Sequence, residues 1–156
     1  LTHGHFDHIG GVEAVRKITG AEVYIHEDDA KMLTSAEYSL AAGILYHPFT
    51  AVTDFTAITG DSLLNDGDLS FQVLHTPGHS EGSVCYVCGN VMFTGDTLFH
   101  DSIGRTDFPG SNPIDMRNSL CTLKMINGDF KVLPGHGPAS SLRYEQNNNP
   151  YMRNLK

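Results

Sequence analysis

Thr2-His3-Gly4-His5-Phe6-Asp7-His8-Ile9-Gly10-Gly11 places three histidines and one aspartate within six residues. Neither the period of a helix nor that of a strand accounts for such a density. Imidazole is the commonest protein ligand for zinc-like ions, carboxylate adds charge, and a catalytic centre keeps one position open for water. His3 and His5, two apart, can point to one side of an extended segment, while the adjacent Asp7 and His8 can serve a second centre. The competing reading is a solvated polar loop or a tag remnant. It is disfavoured because ligand-type residues recur downstream beside glycine: His79 in Thr76-Pro77-Gly78-His79-Ser80, Asp96 in Phe93-Thr94-Gly95-Asp96-Thr97-Leu98-Phe99, and His136 in Leu133-Pro134-Gly135-His136-Gly137-Pro138. Each follows a β-like apolar run, where a rigid scaffold presents functional side chains and glycine lets the backbone turn sharply.

Around these segments the chain is 156 residues long, 40% hydrophobic, with a net charge of −8. That suffices for one packed core, so a single domain over residues 1–156 is expected. No window offers the roughly 18 apolar residues of a membrane span. The acidic balance opposes nucleic-acid binding, which needs clustered Lys and Arg. The chain opens on Leu1 with the histidine motif already at Thr2, which predicts a fragment whose natural start, with any targeting signal, lies upstream. Three cysteines are an odd, low count and favour reduced thiols and a cytoplasmic setting. Cys85 and Cys88 sit three apart in a strand-like run and therefore face opposite ways, as buried apolar residues and not as a metal pair.

Val12 to Thr19 reads as a helix stopped by Gly20, followed by a strand over Ala21 to Ile25 and a helix around Asp28 to Leu33. Ser35 to Gly60 has mixed signals and reads as an insertion or lid beside a site, in which Tyr38 and Tyr46 could line a substrate pocket. Asn65-Asp66-Gly67-Asp68 is a tight turn, and Leu69 to His75, Gly82 to Cys88 and Val91 to Thr94 read as an antiparallel meander. Asn112 can cap a helix with Pro113 at its first position, burying Met116, Leu120 and Leu123. Phe130 to Leu133 is a further strand, and a last helix ends at Asn147-Asn148-Asn149.

In this order the five ligand-bearing segments resemble the metallo-β-lactamase superfamily, an α/β fold built as an αββα sandwich around a dinuclear metal site. The resemblance runs from Thr2 to Pro138. It implies that His3, His5 and His79 hold the first metal, that Asp7, His8 and His136 hold the second, and that Asp96 bridges both. A bridging Asp is the pattern of the glyoxalase II branch, whereas many β-lactamases use Cys there, so lactam hydrolysis is disfavoured. Gly95 to Phe99 and Gly104-Arg105-Thr106-Asp107-Phe108-Pro109-Gly110 resemble short glyoxalase II-like hydrolases and the related persulfide dioxygenases, both acting on glutathione derivatives. The family's first β-layer precedes the histidine motif, so most of it is expected to be missing here. Glyoxalase II enzymes carry a C-terminal helical domain that grips glutathione; too little chain follows His136 to build one, leaving recognition to loops.

The implied chemistry needs no Ser-His-Asp arrangement, because His79 is committed as a ligand and Ser80 reads as a turn residue. Two divalent cations, zinc first with iron or manganese compatible, would stabilise a bridging hydroxide beside Asp7 and Asp96, since metal binding lowers water's pKa to about 7. Asp7 and Asp96 are therefore the carboxylates of the catalytic centre. A thiolate, whose thiol has a pKa of about 8.5, leaves without a proton donor. The expected function is hydrolysis of a thioester such as S-(2-hydroxyacyl)glutathione. Arg105 is the candidate substrate-binding residue, since a guanidinium fork suits a glutathione carboxylate; the alternative is a salt bridge to Asp107 or Asp101. His26, His47, His75 and His100 read as satisfied polar or surface groups. Two other functions stay open: a mononuclear-iron persulfide dioxygenase, and a non-catalytic fragment that keeps the ligands without their geometry.

Overall fold

The computed structural model describes residues 1–46 and 48–155. The histidine motif runs from an extended start into a one-turn helix, α1 (Phe6–Ile9), and a second helix, α2 (Val12–Thr19), ends at Gly20, whose φ of +71° closes it through an N–H donated to Arg16. Strand β1 covers Tyr24–His26, later than expected from the apolar run. Among the described residues its ladder partner is the short β2 (Thr56–Ile58), which pairs in parallel from Tyr24↔Thr56 onward. The expected helix after it is a 3-10 segment, Glu27–Leu33, capped by His26, whose Nδ1 accepts from the Asp28 N–H.

Strands β3 (Leu63–Asp66), β4 (Leu69–His75), β5 (Val84–Cys88), β6 (Val91–Gly95), β7 (Lys131–Pro134) and β8 (Ser140–Ser141) form one sheet in that order. The Asn65 to Asp68 turn closes the β3–β4 hairpin, with Gly67 at φ +56°. All neighbours are antiparallel except β6 and β7. Two antiparallel steps from β4 to β6 and one parallel step to β7 make these three strands run the same way. Their C-terminal ends therefore share one edge of the sheet, and that edge carries the site. The expected meander is present. β8 is additional: two serines give no apolar alternation from which a strand could be read.

Helix α3 (Pro113–Met125) starts as expected, the Asn112 side chain accepting from the Ile114 and Asp115 N–H groups, and α4 (Leu142–Asn148) follows Ser141, which caps the Tyr144 N–H. Three apolar clusters define the layers. Met116, Leu120 and Leu123 of α3 and Leu142 of α4 pack on Cys85, Met92 and Val132 of the large sheet. Ile58, Val73 and Val84, with Tyr24 and Leu64, fill the space between the two sheets. Ile9 and Val12 pack with Ile25, Leu33 and Val52 on the outer side of the small sheet. The layer order is helix, sheet, sheet, helix. Cys85 is fully buried and Cys88 only partly so, as the strand alternation requires. Among the described residues no helix is long and apolar enough to cross a membrane.

Ser35 to Gly60 is in part a structural segment and not simply a lid: it supplies β2, and its Val52 is buried. Its first half does border the site, where Ser39 accepts a 2.9 Å hydrogen bond from the Phe6 N–H. Tyr38 and Tyr46 are exposed and do not line the pocket described below. His47 lies outside the described residues.

Candidate metal centre

The sheet edge explains the convergence of residues far apart in sequence. β4 leads to His79, β6 to Asp96 and β7 to His136, and the histidine motif joins the same edge because Thr2 accepts a 2.9 Å hydrogen bond from the N–H of Val84, where β5 begins. All seven residues singled out in the sequence meet here. They form two sets of mutually close donor atoms, His3 with His5 and His79, and Asp7 with His8 and His136, while Asp96 shares a third grouping with His3 and His8.

The distances are those of donors turned to a common point. His5 Nδ1 and His79 Nε2 are 2.9 Å apart, and His8 Nε2 and His136 Nε2 are 3.2 Å apart. Asp7 Oδ2 lies 3.2 Å from His136 Nε2. The Asp96 carboxylate stands between the sets, with Oδ1 3.4 Å from His8 Nε2 and Oδ2 3.4 Å from His79 Nε2. Two nitrogens on one tetrahedral zinc, each at about 2.0–2.1 Å, stand about 3.3 Å apart, so these spacings suit a shared ion. His3 Nε2 and Asp96 Oδ1 are also buried without a hydrogen-bond partner, a costly arrangement that a cation would relieve. The residues present fit two divalent cations.

Electrostatics favour the ligand-ready forms of the rings. Burial pulls His3 well below its ordinary pKa, and the neighbouring histidines add to the effect. Burial likewise brings His5 down to about 4, with His79 reinforcing it. His8 is lowered by burial against the opposing pull of Asp96 and Asp7, while burial raises Asp96 against the histidines around it. Neutral imidazoles offer lone pairs near pH 7.

The outer contacts orient the donors. His79 Nδ1 lies 2.9 Å from the Arg105 carbonyl, so it is the N–H side and Nε2 is left facing the cluster. Backbone crowding sets the rest: a Cβ on Gly135 would stand 2.2 Å from Asp96 Oδ1, and one on Gly104 1.9 Å from the Asp96 carbonyl oxygen. Glycine is needed at both positions because a Cβ would collide with the Asp96 carboxylate at the first and with its backbone carbonyl at the second.

A pocket of about 430 Å³ opens over the cluster, walled by Phe6, Leu40, Ile44, Phe99, Ile103 and Phe108, with Arg105 on its rim. Arg105 adopts the alternative considered from the sequence: its Nε and Nη2 donate to the Asp107 carboxylate at 2.6 and 2.8 Å, and its guanidinium lies over the Phe108 ring. A second groove of about 520 Å³ between α2 and the large sheet contains only His8 of the seven and carries no comparable chemistry. The remaining described histidines have ordinary partners: His26 stacks on His75, whose Nε2 meets the Glu81 carbonyl, and His100 Nδ1 meets Glu145.

Sequence reasoning missed Asp29. It is fully buried in the 3-10 segment, where Oδ2 accepts from the Gly4 N–H at 3.1 Å and the Ser80 hydroxyl at 2.7 Å, and Oδ1 from the Gly82 N–H at 2.8 Å. One acidic residue in Glu27-Asp28-Asp29 gives no signal that it faces inward. Ser80, read as a turn residue, is one of its donors.

The chain is similar to known proteins over most of its length. A family model described as the metallo-beta-lactamase superfamily matches residues 1–136. The chain is 37% identical over 155 residues to a probable metallo-hydrolase, YqgX, of Bacillus subtilis, covering 97% of this chain and 74% of that protein. It is 32% identical over 157 residues to the hydroxyacylglutathione hydrolase GloC of Haemophilus influenzae, with the same coverage of 97% and 74%. Among solved structures, the BLEG-1 B3 metallo-beta-lactamase superposes with a TM-score of 0.91 at 36% identity, covering 97% of this chain and 75% of that one. TTHA1623, solved in a di-iron-bound form, gives 0.84 at 36% identity with coverage of 97% and 75%. ETHE1 from Myxococcus xanthus gives 0.76 at 30% identity, covering 97% of this chain and 60% of that chain.

Proposed function

The chain belongs to the metallo-beta-lactamase superfamily, a family of metallo-hydrolases, and on that premise we propose that it hydrolyses a thioester of the S-(2-hydroxyacyl)glutathione type. The proposed ligands are His3, His5 and His79 for one divalent ion and Asp7, His8 and His136 for another, with Asp96 between them. Zinc or iron suits this donor set, and the di-iron form of a similar protein makes iron a realistic occupant. When bound, such ions supply water with a pKa lowered to about 7 and a Lewis acid for a carbonyl oxygen.

The observation that carries the reading is that, among the described residues, the pocket lining holds no spare proton donor. Its ionisable residues are His5, Asp7, His79, Asp96, His136 and Arg105. Five of these belong to the proposed ligand set, and the Arg105 guanidinium is held by Asp107. A leaving group that departs as a stable anion suits such a wall, and a thiolate does so far better than an amine. The chain's own residues would bind and orient: the apolar wall takes the acyl group and limits water, Asp96 would serve as a ligand between the two donor sets, and the Arg105 carbonyl keeps the His79 proton on Nδ1. A substrate carboxylate at Arg105 would have to share the guanidinium with Asp107. The relationship to a hydroxyacylglutathione hydrolase supports the same substrate class.

Lactam hydrolysis is the second reading, favoured by the superposition on a B3 metallo-beta-lactamase. The persulfide dioxygenase reading needs one iron, and two sets of convergent donors weigh against it. Purified protein, analysed for metal by mass spectrometry, is offered S-(2-hydroxyacyl)glutathione, a chromogenic β-lactam, and glutathione persulfide with oxygen uptake recorded. The expected result is near two ions per chain and chelator-sensitive thioester cleavage. Faster turnover of the lactam, or oxygen uptake with one iron and no cleavage, overturns the proposal.

A further inference from the structure

We propose that Asp29 is the positioning residue of the three-histidine half of the site, its carboxylate holding the His3–His5 segment and the His79 loop at the separation at which one cation takes all three rings. The inference rests on the metal-centre reading above.

Asp29 belongs to none of the donor groupings that could hold an ion. Its bonds instead go to the backbone and side chain next to the ligands. Gly4, which donates to Oδ2, lies between His3 and His5; Ser80, which donates to the same oxygen, directly follows His79; and Gly82 donates to Oδ1. Ser80 is itself fixed, since its hydroxyl is 2.7 Å from the Ser83 hydroxyl, which in turn accepts from the Ser80 N–H at 3.1 Å. One carboxylate thus clamps the extended His3–His5 segment and the loop after β4, whose histidines His5 and His79 are 74 residues apart in sequence.

The clamp is tight on both sides. A Cβ on Gly4 would come within 2.5 Å of Met32 Cβ, and one on Gly82 within 2.7 Å of the Asp29 N–H nitrogen. The loops therefore approach the 3-10 segment as closely as backbone permits. A buried carboxylate that accepts neutral donors keeps its geometry without drawing a cation away from the site. The other half of the site is supported elsewhere: Asp7 and His8 by α1, whose Ile9 N–H bonds back to His5, and the His136 loop by the Gly135 N–H on the Gly95 carbonyl at 2.8 Å. Asp29 reaches neither.

This asymmetry makes the role testable apart from general stability. In a His136→Ala background the three-histidine set is intact; in a His3→Ala background the Asp7, His8 and His136 set is intact. Zinc dissociation constants are measured by chelator competition in each background, with and without Asp29→Asn, and folding is checked by circular dichroism. The expected result is a dissociation constant raised about 10- to 100-fold in the His136→Ala background, the range for outer partners of metal ligands, and changed by less than about threefold in the other. Equal weakening in both backgrounds, or none in the first, overturns the assignment. If Asp29→Asn fails to fold, Ser80→Ala, which removes one of the three donors, is measured the same way and should weaken the first background about 3- to 10-fold. If neither background binds zinc, the metal-centre reading falls and this inference with it.

Discussion

His5 carries two consequences of burial at once. With its pKa down to about 4 it is neutral near pH 7 and ready for a cation, yet it opposes folding in acid when no cation is present. The unfolded chain binds a proton at an ordinary pKa of about 6.5, so between that value and about 4 it holds more protons than the folded chain, and stability rises with pH across the window. His3, His8 and His26 are lowered by burial and act in the same direction, while the raised carboxyls of Asp96 and Asp29 oppose them. Burial also lowers the Leu1 amino group to about 6, in the same direction, so metal-free protein, followed by thermal melts in chelator, should lose stability steadily as pH falls from 8 to 5. At the same scale, Asp96→Asn keeps the volume but removes the charge between the two donor sets. Thioester turnover should fall by more than about 100-fold, beyond the cost of an outer partner, with metal content by mass spectrometry dropping below that of the parent protein.

Among the elements, two short changes separate support of the site from support of the fold. Asn112 caps α3 with its side chain, through the Ile114 and Asp115 N–H groups, and meets the His79 loop only through its backbone N–H, which donates to the Gly78 carbonyl at 2.9 Å and is kept on substitution. Asn112→Ala should cost about 1 kcal/mol and lower the melting temperature by roughly 2–4 °C, with turnover per bound metal unchanged. Gly135→Ala does the reverse: its Cβ would meet Asp96 Oδ1 at 2.2 Å, displacing the Asp96 carboxylate while the strands stay paired. Turnover should fall at least about tenfold with the far-ultraviolet circular dichroism spectrum preserved. The contrast also shows what was legible. The α3 cap, the β3–β4 turn and the meander are local, fixed by neighbours in sequence, and all were readable from residue type and spacing. β2 and β8 were not, because each is two or three residues long and exists only through its ladder partner.

For the whole molecule, the site is a product of topology. The parallel step between β6 and β7 brings the loops of β4, β6 and β7 to one edge, where His3 Nε2 and Asp96 Oδ1 are buried without a hydrogen-bond partner. An ion that binds only the folded chain, at 100 times its dissociation constant, adds about 2.7 kcal/mol, so zinc should raise the melting temperature by about 5–10 °C over chelated protein. Coincident melts with and without chelator would show that the donors do not act together. By itself the sequence determined the family and singled out the seven residues that the fold brings together, since ligand chemistry is carried by side-chain type and the density of histidine beside glycine has no packing explanation. The tertiary structure alone decided that Arg105 pairs with Asp107, that Tyr38 and Tyr46 are exposed and outside the pocket lining, and that Asp29 bonds to the segments beside the His3–His5 pair and His79. Those outcomes depend on which charged or polar group is carried inward by the fold, and residue type leaves burial undetermined until distant segments have met.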